Sequence, residues 1–219
     1  MKLISSNNRL LFAFTLLLAI MFTSCEESDN EKSIGFPQIY MPQATITGLD
    51  NSYPVPNGPF GESTSYNSFY KDGILNIALG VVRAGYITNA KEFSVNVETS
   101  QDETDMKISQ LEGSGKAAIQ IPSGMYQLPA NVHVQAGKNT GTFYLAVNLR
   151  ELANSSVSLI DNDRWKTLVL AVKITNPTSY ELSEANTSVV VVIDLNSEHW
   201  DNVDEEAAES EVRILFPKL

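Results

Sequence analysis

The sequence predicts an all-β domain, an antiparallel β-sandwich, on three observations. Apolar residues recur at every second position in short runs. Gly, Pro and Asn separate those runs, and no long stretch has a helical period. Spaced strands with turns between them and no intervening helices bury their apolar faces by stacking as two sheets.

Taken in order, Leu75, Ile77, Leu79 and Val81 share one face, and Phe93, Val95 and Val97 repeat the pattern. Period-2 alternation of this kind marks half-buried strands. Val132 and Val134 alternate with His133 and Gln135 up to a Gly/Asn-rich turn at residues 136–141, after which Phe143, Leu145, Val147 and Leu149 resume. Two such runs around a short turn predict a β-hairpin over residues 132–149. Leu168, Leu170, Val172 and Ile174 form the next strand, which ends at Asn176-Pro177. Residues 189–193 are an unbroken β-branched run and predict a central strand covered on both faces. Helix is expected only as single turns near residues 108–111 and 151–154. Val212, Ile214 and Phe216 alternate like a last short strand.

The N-terminus carries an address. Lys2 and Arg9 precede an apolar run of 13 residues, 10–22, broken only by Thr15, and Thr23-Ser24-Cys25 closes it. A bilayer span needs about 20 apolar residues, so the run is too short to cross and fits a cleaved signal. Cys25, the sole cysteine, stands where signal peptidase II would cut and leave a lipidated N-terminus. The division predicted is residues 1–24 as a lipoprotein signal peptide and 25–33 as an acidic tether. Residues 34–196 form the sandwich and 197–219 an acidic C-terminal segment. Without the signal, 13 basic residues face 26 acidic ones, a net charge of −13. Such a surface repels nucleic acid and anionic lipid headgroups. With Cys25 lipidated no disulfide forms, so stability must come from the core.

Catalytic motifs are absent. There is no Gly-x-Ser-x-Gly, no His-Glu-x-x-His and no phosphate-cradling glycine loop. His133 alternates with two buried valines and reads as an exposed strand residue, and His199 reads as loop surface. Asp161-Asn162-Asp163 reads as an Asx turn before Trp165, because calcium needs six to eight oxygens that three residues do not supply. No metal or cofactor is expected. Tyr66, Tyr70, Trp165 and Trp200 lie in predicted loops or at strand ends. Two readings stay open for these rings: they plug the ends of the sandwich, or they stack on sugar C–H faces.

Residues 126–141 (Tyr-Gln-Leu-Pro-Ala-Asn-Val-His-Val-Gln-Ala-Gly-Lys-Asn-Thr-Gly) and 168–183 (Leu-Val-Leu-Ala-Val-Lys-Ile-Thr-Asn-Pro-Thr-Ser-Tyr-Glu-Leu-Ser) resemble one lipoprotein family. It is the immunoglobulin-like domain of unknown function found near the N-terminus of Bacteroidetes surface lipoproteins of glycan-utilisation loci. The resemblance spans roughly residues 34–196 and implies an immunoglobulin-like β-sandwich in a glycan-related setting. It supplies no binding residues. Acidic residues 26–31 likewise resemble the surface-export signal of such lipoproteins. The expectation is a non-enzymatic protein of the outer membrane, anchored through Cys25 and facing the cell surface. Its partner is a polysaccharide or, alternatively, another envelope protein docked without sugar.

Overall fold

The structure, a computed structural model, describes residues 37–46, 50–56, 68–85, 87–197, 200 and 209–219. Cys25, Tyr66, His199 and the acidic residues 201–208 lie outside the described residues. The strands are β1 (Gln38–Tyr40), β2 (Ser52–Val55), β3 (Ser68–Lys71), β4 (Ile74–Arg83), β5 (Phe93–Thr99), β6 (Ala118–Gln120) and β7 (Tyr126–Gln127). They continue with β8 (Asn131–Val134), β9 (Thr140–Asn148), β10 (Ile160–Asp161), β11 (Arg164–Trp165), β12 (Thr167–Thr175), β13 (Glu181–Leu182) and β14 (Ser188–Ile193). The helices are α1 (Gln101–Gly113), α2 (Leu149–Ala153) and α3 (Glu209–Leu215).

The strands build an all-β sandwich. One sheet runs β13-β1-β4-β9-β7 with β3 also on β4, and the other runs β2-β14-β12-β5-β8 with β6 also on β12. Alternate residues of the long strands meet between the sheets: Leu75, Ile77 and Leu79 from β4, Phe143, Leu145 and Val147 from β9, and Leu168, Leu170 and Val172 from β12. Most pairings are antiparallel, as expected, but β1–β13, β6–β12 and β2–β14 are parallel. The run at 189–193 is central, with Val189, Val191 and Ile193 facing the main core. Val190 and Val192 face the other way, onto Ile108 and Leu111 of α1.

Three expectations are corrected. Residues 132–149 are not a hairpin: β8 pairs with β5 in one sheet, and β9 pairs with β4 and β7 in the other. The valines of β8 and the apolar residues of β9 face each other across the core. A Cβ on Gly141 would come within 2.8 Å of Val134 Cγ2 and 3.0 Å of Val132 Cγ1, so the connection crosses between sheets. Alternation alone fits a side-by-side pair and a facing pair equally well.

Second, residues 209–215 are helix rather than strand. Val212 and Phe216 are buried while Ile214 is 76% exposed. Positions 212 and 216 share a face in either period, but 214 joins them only in a strand. Val212, Phe216 and Trp200 belong to the main core, so α3 packs on the sandwich.

Third, α1 is a full helix of 13 residues. Asp102 and Glu103 sit in its first turn, where the helix dipole favours them. Gly115, at φ 80°, ends it in a Schellman arrangement: Lys116 N–H bonds to Leu111 O and Gly115 N–H to Glu112 O. Its buried stripe is Thr104, Ile108 and Leu111, too narrow to register as a helical period.

Candidate functional site

Of the four ring residues singled out from the sequence, two are core. Trp200 is 1% exposed, and its Nε1 donates to Asp194 O at 2.8 Å. Tyr70 is 6% exposed. It sits on β3 opposite Leu75, with its ring on the inward face. Neither offers a ring face to a ligand. Trp165 is partly buried and stands at the mouth of a hollow, and Tyr66 lies outside the described residues. The structure does not bring the described three together as one platform.

The hollow has a volume of about 650 Å³ and lies at the N-terminal end of β12. One wall is the β10–β11 hairpin, in which Ile160 pairs with Trp165 and Asp161 with Arg164. Asn162 and Asp163 form its two-residue turn with φ 47° and 57°. Positive φ at both positions matches the right-handed twist of the strands, and Asn and Asp tolerate it better than other residues with a Cβ. The Asp-Asn-Asp run thus ends β10 and makes the backbone turn of a β-hairpin.

Trp165 is held from three sides. Its backbone N–H donates to Asn196 Oδ1 at 3.0 Å, and Asn196 Nδ2 donates back to Trp165 O at 2.7 Å. Asn196 is itself fixed by its N–H on Asp194 Oδ1 at 2.9 Å. The indole Nε1 donates to Pro217 O at 2.7 Å, and the ring meets Phe216 edge-on with centroids 5.2 Å apart. Arg213 of α3 reaches the same wall by donating to Leu195 O and Ser197 O. Asp161, Asp163 and Asp194 share the lining with Arg164, Arg213 and Lys218, so both signs of charge are present. Such a lining offers donors and acceptors to a neutral, hydroxyl-rich ligand and a ring for its apolar face.

A second exposed feature went unnoticed in the sequence. Phe69 and Tyr144 are 47% and 46% exposed and pack edge-to-face with centroids 5.7 Å apart. Both point outward from their sheet, Phe69 opposite Asn76 and Tyr144 opposite Ala78. The signal was available: Tyr144 lies between Phe143 and Leu145, so it must face the other way.

His133 is exposed on β8, as expected. Its Nδ1 is 3.0 Å from Ser94 Oγ and its Nε2 3.8 Å from Glu92. These three residues lie on an open sheet face and do not line this hollow. Among the described residues no group of three or more Asp, Glu, His or Cys side chains converges, and no helix is long and apolar enough to cross a membrane.

No family model matches the chain, and no curated protein matches it. Distant likenesses exist among solved structures. A putative carbohydrate binding protein from Bacteroides ovatus is 8% identical with a TM-score of 0.47, over 72% of this chain and 37% of that one. A multidomain protein from the same organism is 15% identical with a TM-score of 0.46, over 73% and 45%. An auxiliary nutrient binding protein from Bacteroides thetaiotaomicron is 16% identical with a TM-score of 0.41, over 67% and 45%. The chain spans less than half the length of each of these neighbours.

Proposed function

We propose that this chain is a non-enzymatic accessory protein of the cell envelope that binds glycan in the hollow beside Trp165. The carrying observation is the immobilised indole set among carboxylate, amide and guanidinium groups at one end of a rigid sandwich. In this reading Cys25 carries a lipid anchor and holds the domain on the outer face of the outer membrane. One ring contributes about 1 kcal/mol, a factor of about 5 in Kd, so binding is weak and depends on the polar wall as well. A glycan array followed by calorimetric titration tests it. Arg164→Ala, exposed on the hairpin, should weaken a glycan hit without moving Tm, and Trp165→Ala should weaken it further. Trp200→Ala should instead lower Tm, since truncating a buried tryptophan costs about 3–5 kcal/mol. A hit that neither hollow variant weakens sinks this assignment.

The second reading, docking of another envelope protein without sugar, is favoured by the exposed Phe69–Tyr144 pair. Exposed aromatics on a sheet face are the composition of interface cores. Loss of a co-purifying partner on Phe69→Ser with no glycan hit would favour it.

A further inference from the structure

A second hollow, open and about 900 Å³ in volume, lies between the end of β4, Gly85, residues 87–91 and the turn at 136–139. It is at the opposite end of the sandwich from Trp165. Trp165 precedes β12, whereas Thr178 follows it and donates its N–H to Ser94 O, three residues from Lys91.

Arg83 lines this hollow and is only 5% exposed. It is the charged side chain that the described residues bury. Its Nη1 donates to Tyr180 Oη at 3.3 Å, and its guanidinium carbon lies 5.2 Å from the centre of the Tyr180 ring. Its Nε is out of solvent and has no acceptor. Among the described residues no carboxylate lies within ion-pairing distance of it. The Tyr180 hydroxyl offers a dipole and no countercharge, and its oxygen also takes the Lys91 N–H at 2.8 Å and donates to Lys91 O at 3.2 Å.

Buried charges are ordinarily paired. Here a chain with 26 acidic residues leaves a buried guanidinium unpaired, and no acidic side chain lines the hollow beside it. Tyr180 holds the group in place. It adopts φ 67°, a conformation bulky residues seldom take, and packs edge-on against Phe93 at 5.9 Å. Strain of this kind persists where the surroundings over-determine it, commonly at binding sites. With Nη1 used and Nε shut off from solvent, Nη2 is the donor left to meet a carboxylate in a charge-assisted hydrogen bond. Lys91 adds a second cation at the rim, and Thr88, Asn89 and Asn139 add groups suited to hydroxyls.

We propose that this hollow binds a carboxylate-bearing sugar of the uronic-acid class, with its carboxylate on Nη2 of Arg83. The site is separate from the Trp165 hollow, and the proposal stands or falls independently of it. The test is a nuclear magnetic resonance titration of the protein with glucuronate, glucose and acetate at fixed ionic strength. Glucuronate should shift the amides of Ala90, Lys91 and Gly137. Acetate should shift the same amides at least tenfold more weakly, and glucose should leave them in place. Arg83→Met should weaken glucuronate at least tenfold and leave Tm unchanged or raised, because it removes a buried uncompensated charge. If that variant fails to fold, Lys91→Ala, which keeps the backbone bonds to Tyr180, should still weaken glucuronate severalfold. Glucose binding as well as glucuronate overturns the proposal. So does acetate binding as tightly as glucuronate, which leaves an anion site without sugar recognition. Shifts confined to Arg164 and Asn196, or full affinity in the Arg83 or Lys91 variant, overturn it too.

Discussion

Replacing Gln43 should be among the most damaging single changes outside the apolar core. One edge of β4 is filled by β9 from Ile74 to Val82. The other is shared, with β3 covering residues 74–77 and β1 covering 82–83. In the gap between them Gln43, which is fully buried, takes the place of a strand. Its Oε1 accepts from Gly80 N–H at 3.1 Å, and its Nε2 donates to Ala78 O at 3.5 Å. Gln43→Ala strands both backbone groups without admitting water. Each orphaned group costs about 1–3 kcal/mol, and the longer bond belongs at the low end, so the loss should be about 3 kcal/mol. In a domain of this size that lowers Tm by roughly 6–12 °C. Urea unfolding should show a lower midpoint with an unchanged slope, since little surface area changes. Gln43→Glu adds a pH signature. The new carboxyl must stay protonated to donate to Ala78 O, and burial raises its folded pKa above the unfolded value of about 4.3. Its stability contribution is therefore complete below about pH 4 and falls as pH rises through that raised value. A loss under about 0.5 kcal/mol for Gln43→Ala, less than one net hydrogen bond, would refute the gap-filling role. A flat pH profile for Gln43→Glu would refute it as well.

Asp50 should contribute to the acid limb of stability. The hydrogen bond from Lys107 Nζ at 2.8 Å, helped by Ser52, holds its carboxyl at about 2. A lowered folded pKa stabilises above the unfolded value of about 3.9 and is lost as pH falls towards 2, so Asp50→Asn should flatten that window in acid denaturation. The effect should be small because the Asp50 side chain is 40% exposed, and a steeper acid limb in the variant would contradict the assignment. At the N-terminus, Cys25→Ala should abolish incorporation of labelled palmitate, and retained label would exclude the lipid anchor. Protease added to intact cells should remove the wild-type domain, whereas cleavage only after lysis would place it on the periplasmic face.

The strand pattern was legible in β4 and β5, where burial on one side writes a period of two into the sequence, and in β14, where cover on both faces writes an unbroken apolar run. What was not legible was partner choice. Besides the β10–β11 hairpin, β3 and β4 form one, joined by Asp72-Gly73 with φ 55° and 91°. Asp-Gly is a strong hairpin signal, and it was present. It lay just after residues 50–70, whose three prolines among five aromatics read as a long loop, whereas Ser52–Val55 and Ser68–Lys71 are strands, and that reading hid the alternation that turns Tyr70 in and Phe69 out. For the site, Trp165 was visible because it precedes a strand. Its hollow was not, because Asn196, Arg213 and Pro217 come from 31, 48 and 52 positions away in the chain. Arg83 was invisible for a related reason: a charge ending an apolar strand reads as its solvated end, and only Tyr180, 97 positions on, encloses it.

The pieces missed share a physical origin. β4 and β12 each have an edge divided between two shorter partners, and in each the break leaves backbone groups that must bond to something. On β4 the filler is Gln43. On β12 the break falls at Ala171, between β5 at Val172 and β6 at Val169. There Ser100 N–H donates to Ala171 O at 3.0 Å, and Ala171 N–H donates to the Thr104 hydroxyl at 3.0 Å. That pair of bonds seats α1 on the outer sheet face, which is why a helix with so narrow an apolar stripe is stable. Asn196 repeats the device at Trp165, where its amide gives and takes one bond as a strand residue would. Polar side chains thus complete the sheets where strands run out, and the first hollow is built on one of these completions. Its indole is fixed by backbone bonds as well as packing, so the glycan proposed there would meet a ring already ordered and spend little entropy on placing it.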